Sequence, residues 1–215
     1  MKITFIEARD LSEAFFLCCK KVLLEGYEYT IDKGSYEGTK RKEFDFANIH
    51  ILHPGMRPLT PDIPPGTPPP TSDKYINDYL SYLITDSKKP HEQYTYGEDL
   101  EPQLDTVIRR YKEDGPECNQ LCMSVGSRNS ISLKDPQCLR VVDTRIRYGS
   151  LHFILYFRSW DLWAGFPTNL GGLQLLKEYM AKEIGVADGE MICLSKGLHL
   201  YEYAWDLARS VVGLS

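Results

Sequence analysis

Apolar residues recur along this chain with two periods, one of two residues and one near three and a half, and the switches between them fall at turn-forming positions. Ile3–Ala8 reads as a short strand. A helix then runs from Asp10 to about Leu24, with Asp10 and Glu13 at capping spacing and Leu11, Ala14, Phe15, Cys18 and Val22 on one face. The polar, glycine-bearing stretch from Gly26 to Arg41 predicts a loop centred on Asp32 to Ser35, and Phe44, Phe46 and Ala47 to Leu52 predict a strand. Eight of the 13 prolines fall between Pro54 and Pro70, so this segment is neither helix nor central strand. It reads as an extended, polyproline-like excursion over the surface, a connector without chemistry of its own.

Ser72 or Asp73 caps the next helix, which carries Tyr75, Tyr79, Leu80 and Leu83 and ends near Asp86. Another covers Gln103–Lys112. Beyond Cys118 strands dominate, with Leu139–Ile146 and Leu151–Phe157 flanking a Tyr148-Gly149 hairpin turn. Asn169–Ile184 is helical with Gly185 just past its end. Met191–Leu194 is a short strand, and a helix from about Tyr201 to Val212 closes the chain. Without an internal repeat, one α+β domain is the economical description.

Composition narrows the function classes. The chain has 215 residues, 42% of them hydrophobic and 26% charged, which is globular rather than disordered. A net charge of −5 disfavours a nucleic-acid partner, so any phosphate site has to be a local cluster. No apolar run approaches a membrane span, and the first residues lack a signal-peptide pattern. The six cysteines include the adjacent pair Cys18 and Cys19 but no CxxC, and His50, His53, His91 and His152 have no metal-ligand spacing. No metal site is expected, and reduced thiols in a cytoplasmic protein are the simplest reading.

The segment from Tyr156 to Asn169 stands apart. Arg158, Ser159, Asp161 and Asn169 lie among Tyr156, Phe157, Trp160, Trp163 and Phe166. Polar groups in such surroundings are costly unless paired, so the mixture suggests a pocket for a ligand with anionic and amide-like atoms. Cys138 follows a proline turn, where Arg140 and Arg158 could lower a thiol pKa, although by itself it also reads as an ordinary core cysteine. His199 and Tyr201, two apart, share a face if extended, and read equally well as a solvated loop pair. Tyr96-Gly97 is a weak signal alone, and Arg109-Arg110 reads as a solvated helix face.

Taken in order, these pieces resemble the thymidylate synthase family, most closely its short archaeal type. The matching motifs are Pro136-Gln-Cys138, Arg158-Ser-Trp-Asp161, Gly165-Phe-Pro-Thr-Asn169, His199-Leu-Tyr201 and, upstream, Tyr96-Gly97. The resemblance is firm from Tyr94 to Asp206 and loose before that. It implies a large mixed β-sheet flanked by helices and a homodimer packed through that sheet. It also implies methylation of dUMP to dTMP, with Cys138 adding to uracil C6 so that C5 accepts a one-carbon unit from a reduced pterin. Arg158 and Ser159 would hold the phosphate and Arg158 would favour the thiolate, while Asn169 would read N3 and O4 of uracil. Asp161 would contact the pyrimidine and help order the folate, His199 and Tyr201 would bond the 3′-hydroxyl, and Tyr96 would serve removal of the C5 proton.

Departures from the family pattern qualify this. Its paired partner-subunit arginines would fall near Cys118-Asn-Gln120, where no arginine stands. Its loop arginine corresponds loosely to Lys33, which the resemblance makes a candidate phosphate ligand, and Asp78 is the nearest counterpart of its general-acid glutamate. The histidine usually following the cysteine is Leu139. The sequence runs 14 residues past Tyr201, short of the family's folate-closing lid, so methylene-tetrahydromethanopterin stands beside methylene-tetrahydrofolate as one-carbon donor. Two alternatives remain: a dUMP or dCMP hydroxymethylase, and a catalytically silent nucleotide-binding relative.

Overall fold

The alternation of buried and exposed positions in the strands builds a six-stranded mixed sheet with one face against helices. The computed structural model describes residues 1–34, 36–88 and 93–214, so Ser35 and His91 lie outside the described residues. The strands are β1 (Ile3–Ala8), β4 (Phe46–Ile51), β5 (Cys122–Ser124), β6 (Leu139–Arg147), β7 (Ser150–Phe157) and β9 (Ala187–Ser195), in the spatial order β1-β4-β9-β7-β6-β5. The pairs β1·β4 and β7·β9 are parallel and the others antiparallel. A smaller sheet, β2-β3-β10-β8, comprises β2 (Tyr27–Thr30), β3 (Lys40–Glu43), β10 (Leu198–Tyr201) and β8 (Trp160–Asp161).

The inner face of the large sheet, with Ile6, Ile49, Ile51, Leu155 and Cys193, packs on α1 (Leu11–Glu25) and α4 (Gly165–Ile184). Asp10 caps α1 by accepting the Glu13 N–H at 2.9 Å. Against α4 lies α2 (Asp73–Ile84), capped by Ser72 and followed by α3 (Gly97–Asp114). The close approach of α2 needs the absence of side chains at Gly171 and Gly172, where added Cβ atoms would lie 2.6 Å from Ile76 Cδ1 and from Tyr79 Cδ1. The outer face stays partly open, with Asn48, Ile154, Tyr156, Ile192 and Leu194 half-buried and Phe5 56% exposed. The expected α+β architecture with a large mixed sheet flanked by helices is the one observed.

Five boundaries differ from the sequence reading, and the strand expected at Met191–Leu194 is the first of them: it runs Ala187–Ser195, because parallel pairing with β7 extends it to Ala187. The segment taken as a loop up to Arg41 holds two edge strands, β2 and β3. Their polar residues conceal a strand pattern but pair across the ladder, Lys40 with Glu28 at 3.1 Å and Tyr29 with Glu43 at 3.0 Å. Helix α3 starts at Gly97 rather than Gln103 and carries Pro102 within it. Helix α4 starts at Gly165, because Pro167 sits in the first turn, where no backbone N–H is required. Residues 198–201 are strand and 202–204 a 3₁₀ turn, so the final helix α5 begins at Trp205. The proline-rich span contains no helix or strand, as expected of an excursion.

Candidate functional site

Cys138 sits where the loop from Asp135 enters β6, and Arg158, just past β7, clamps that loop. The Arg158 backbone N–H donates to the Cys138 carbonyl at 2.8 Å. Its Nε donates to the Gln137 carbonyl at 3.1 Å, and Nη2 donates to the Pro136 carbonyl and reaches the Asp135 carboxylate at 3.4 Å. The hairpin thus brings Arg158 alongside the cysteine as expected. Its effect on the thiol is outweighed, however: burial pushes the Cys138 pKa up, Arg158 pulls it down, and Asp135 and Asp161 push it up again. The half-buried residue rests as a thiol.

Tyr96 approaches from the other side. It is 6% exposed, and its hydroxyl accepts the Leu139 N–H at 3.2 Å, one residue from the candidate nucleophile. The Tyr-Gly motif has a packing cause, since a Cβ on Gly97 would lie 2.2 Å from the Thr85 carbonyl oxygen. The Tyr82 ring meets Tyr96 edge-on at 5.2 Å and stacks on Tyr79 at 5.4 Å. Tyr79 in turn reaches Asn169, whose Nδ2 donates to its hydroxyl at 2.6 Å, while the Asn169 Oδ1 accepts from Trp160 Nε1 at 2.8 Å. A continuous polar and aromatic wall therefore joins Cys138, Tyr96, Tyr79 and Asn169.

The small sheet, which Trp160 joins through β8, carries the remaining candidate side chains. His199 on β10 pairs in register with Asp161 on β8 and with Glu43 on β3, and Tyr201 pairs with Arg41. Strand geometry puts His199 and Tyr201 on one face, with ring centroids 4.6 Å apart. His199 is 2% exposed, and its Nδ1 lies 2.8 Å from the Gly197 carbonyl. Its Nε2 is buried without a hydrogen-bond partner among the described protein groups. Burial, with Arg41 adding to it, lowers its pKa from 6.5 to about 4 against the Gly197 contact, so the ring is neutral at physiological pH. The Asp161 Oδ1 accepts from the backbone N–H groups of Trp163 at 2.9 Å and Ala164 at 3.3 Å, and burial raises its pKa.

Next to this group a cleft of about 470 Å³ is lined by Arg158 and Ser159 together with Arg41, Glu43, Asp45 and Lys196. Three cations line it beside two carboxylates, with Arg41 paired to Glu43 at 2.9 Å, and it is to these cations that a phosphate would bind. Sequence reasoning missed Arg41 and Lys196. Arg41 lay in a stretch read as loop, and only the register that sets it opposite Tyr201 brings it to the cleft.

Two other sequence candidates stand apart. Asp78 is exposed on the outer side of α2 and pairs with Lys74 at 2.6 Å, whereas its neighbour Tyr79 faces Asn169. Helical spacing around the buried Ile76 and Leu83 is the signal that could have separated them. Lys33 is exposed on the β2–β3 loop and is not among the residues lining the cleft. From that loop Tyr36, although exposed, packs on Tyr201 at 4.4 Å. Among the described residues no group of three or more His, Cys, Asp or Glu side chains is placed to hold a metal, and no helix is long and apolar enough to cross a membrane.

Comparison with known proteins gives a consistent result. The profile of the family described as thymidylate synthase matches residues 86–212. A protein of Methanothermobacter thermautotrophicus named "Putative thymidylate synthase" is 30% identical over 223 residues, covering 96% of this chain and 97% of that one. Proteins of the same name from Methanosarcina mazei and Methanosarcina barkeri are 27% and 26% identical over 213 residues, 96% of this chain and 94% of each relative.

Proposed function

The chain belongs to the thymidylate synthase family, and on that premise we propose that it methylates dUMP to dTMP with Cys138 as the nucleophile. The observation that carries this reading is the double use of Arg158, which braces the Cys138 loop and lines the adjoining cleft. A nucleotide whose phosphate sits at Arg158, Ser159 and Arg41 would have its base directed toward Cys138 and Asn169.

Each residue then has a physical task. Cys138 first loses its S–H proton to solvent water, the resulting thiolate Sγ adds to uracil C6, and the C5–C6 π pair moves through C5 to O4 as an enolate. Asn169 donates from Nδ2 to O4 and accepts N3–H at Oδ1, supporting the charge that develops there. Tyr79, rather than Asp78, is the residue of α2 beside that amide. His199, neutral and with a free Nε2, suits the 3′-hydroxyl of a deoxyribose, which would satisfy an otherwise unpaired buried atom. Tyr96, whose phenol burial keeps protonated, belongs to the hydrogen-bonded network for the C5 proton.

The one-carbon donor is a reduced methylene-pterin, and it supplies the methylene carbon and the hydride. Asp161 with the stacked rings of Tyr201 and Tyr203 offers the flat, hydrogen-bonding wall that a fused heterocycle takes. The half-open outer face of the large sheet, apolar at Ile154, Tyr156, Ile192 and Leu194, supports packing against a second copy. The test is incubation with dUMP and either methylene-tetrahydrofolate or methylene-tetrahydromethanopterin, with the product identified by mass spectrometry. dTMP is the expected product; 5-hydroxymethyl-dUMP, or no product with either donor, overturns the synthase reading.

A further inference from the structure

Asn169 lies between two unlike partners. On one side Trp160 Nε1 donates to its Oδ1 at 2.8 Å, and on the other its Nδ2 donates to the Tyr79 hydroxyl at 2.6 Å. An indole N–H only donates, so the amide atom facing it has to be oxygen. A phenol both donates and accepts, and would take either end of an amide. Trp160 alone therefore decides which way round the Asn169 amide lies. The indole is itself packed on both sides: it is 2% exposed, stacked on Phe157 at 3.8 Å and 6°, and packed against Phe166 at 4.6 Å.

The orientation matters because both amide atoms keep unused capacity. Oδ1 retains a second lone pair and Nδ2 a second hydrogen. A fixed amide offers an acceptor beside a donor in one set order. That order matches N3–H and O4 of uracil and opposes N3 and the 4-amino group of cytosine. A freely flipping amide would match both bases equally. Resting on the reading of this site as a dUMP site, we infer that Trp160 is a specificity-determining positioning residue that locks Asn169 in the uracil-reading orientation and thereby rejects cytosine nucleotides. Neither Asn169 alone nor its contact with Tyr79 accomplishes this.

The test is titration calorimetry of dUMP and dCMP into the unliganded protein, which needs no pterin and no turnover. Wild type is expected to prefer dUMP by about 100-fold or more, the scale set by leaving buried polar groups unpaired on the wrong base. Trp160→Phe removes the indole N–H and should narrow that preference by about tenfold or more, through weaker dUMP and stronger dCMP binding. Tyr79→Phe should weaken dUMP binding yet keep the preference, because Trp160 still fixes the amide. Should Trp160→Phe fail to fold, the benzothiophene isostere of tryptophan incorporated at position 160 removes the N–H while keeping the shape. An unchanged preference in a folded Trp160→Phe or isostere protein overturns the lock, as does a wild type that binds both nucleotides equally. A wild type that binds neither overturns the dUMP reading itself.

Discussion

The backbone N–H of Arg158 donates to the Cys138 carbonyl at 2.8 Å, while the guanidinium spans the carbonyls of Pro136 and Gln137 just before it. The charge that most favours the thiolate is thus also the brace of the loop that carries the thiol. Arg158→Ala should move the Cys138 pKa further up and cost about 1–3 kcal/mol of stability through the lost charge-assisted hydrogen bonds. Peptide-resolved iodoacetamide labelling against pH reads the first effect and urea denaturation the second. Arg158→Lys keeps a charge but not the planar fork, and should restore thiol reactivity better than stability.

His199 gives the fold an acid-side weakness. Above about pH 6.5 the ring is neutral both folded and unfolded, so it contributes no pH dependence there. Between 6.5 and about 4 the unfolded chain takes up a proton that the folded chain refuses, so stability falls as pH is lowered through this window. The full loss is on the order of 3 kcal/mol, with more than half of it reached by pH 5. His199→Gln should lack this component, and the difference in urea midpoints between pH 7 and pH 5 for the two proteins measures it.

Gly172 sets the distance between α4 and Tyr79. A Cβ there would stand 2.6 Å from Tyr79 Cδ1 and 3.3 Å from Leu83 Cδ1, so Gly172→Ala should displace α2 at a cost of about 1–3 kcal/mol. Because Tyr79 holds Asn169, dUMP affinity should fall beyond what the loss of stability explains. Calorimetry at a temperature where the variant is fully folded separates the two effects.

The outer face of the large sheet carries the dimer proposal. Leu194 lies there beside Tyr156 and Asn48 in register. Leu194→Arg should leave a folded monomer, whereas wild type at micromolar concentration should sediment with twice the mass of one chain. A monomeric wild type would refute that interface.

The legible part of this protein lay where chemistry and periodicity coincide. Strand β1 and the β6–β7 hairpin follow from alternation and from a Tyr148-Gly149 turn with φ of 53° and 77°, and the site motifs follow from residue type and order. What escaped was set by tertiary contact. Arg41 reaches the cleft because a polar edge strand pairs with β10, which no local pattern announces. Tyr79 rather than Asp78 faces the site because the rotation of α2 is fixed by Ile76 and Leu83 packing on the glycines of α4. The thiol pKa went the other way from a motif-level expectation, since the motif names Arg158 but not how deeply Cys138 is buried.

Activation of C5 by Cys138 in a bound uracil nucleotide is read out by tritium release from 5-tritiated dUMP. Wild type with its methylene-pterin should release tritium to water in step with dTMP formation, and Cys138→Ala should release none above background. Release by Cys138→Ala at a rate comparable to wild type would rule out Cys138 as the nucleophile.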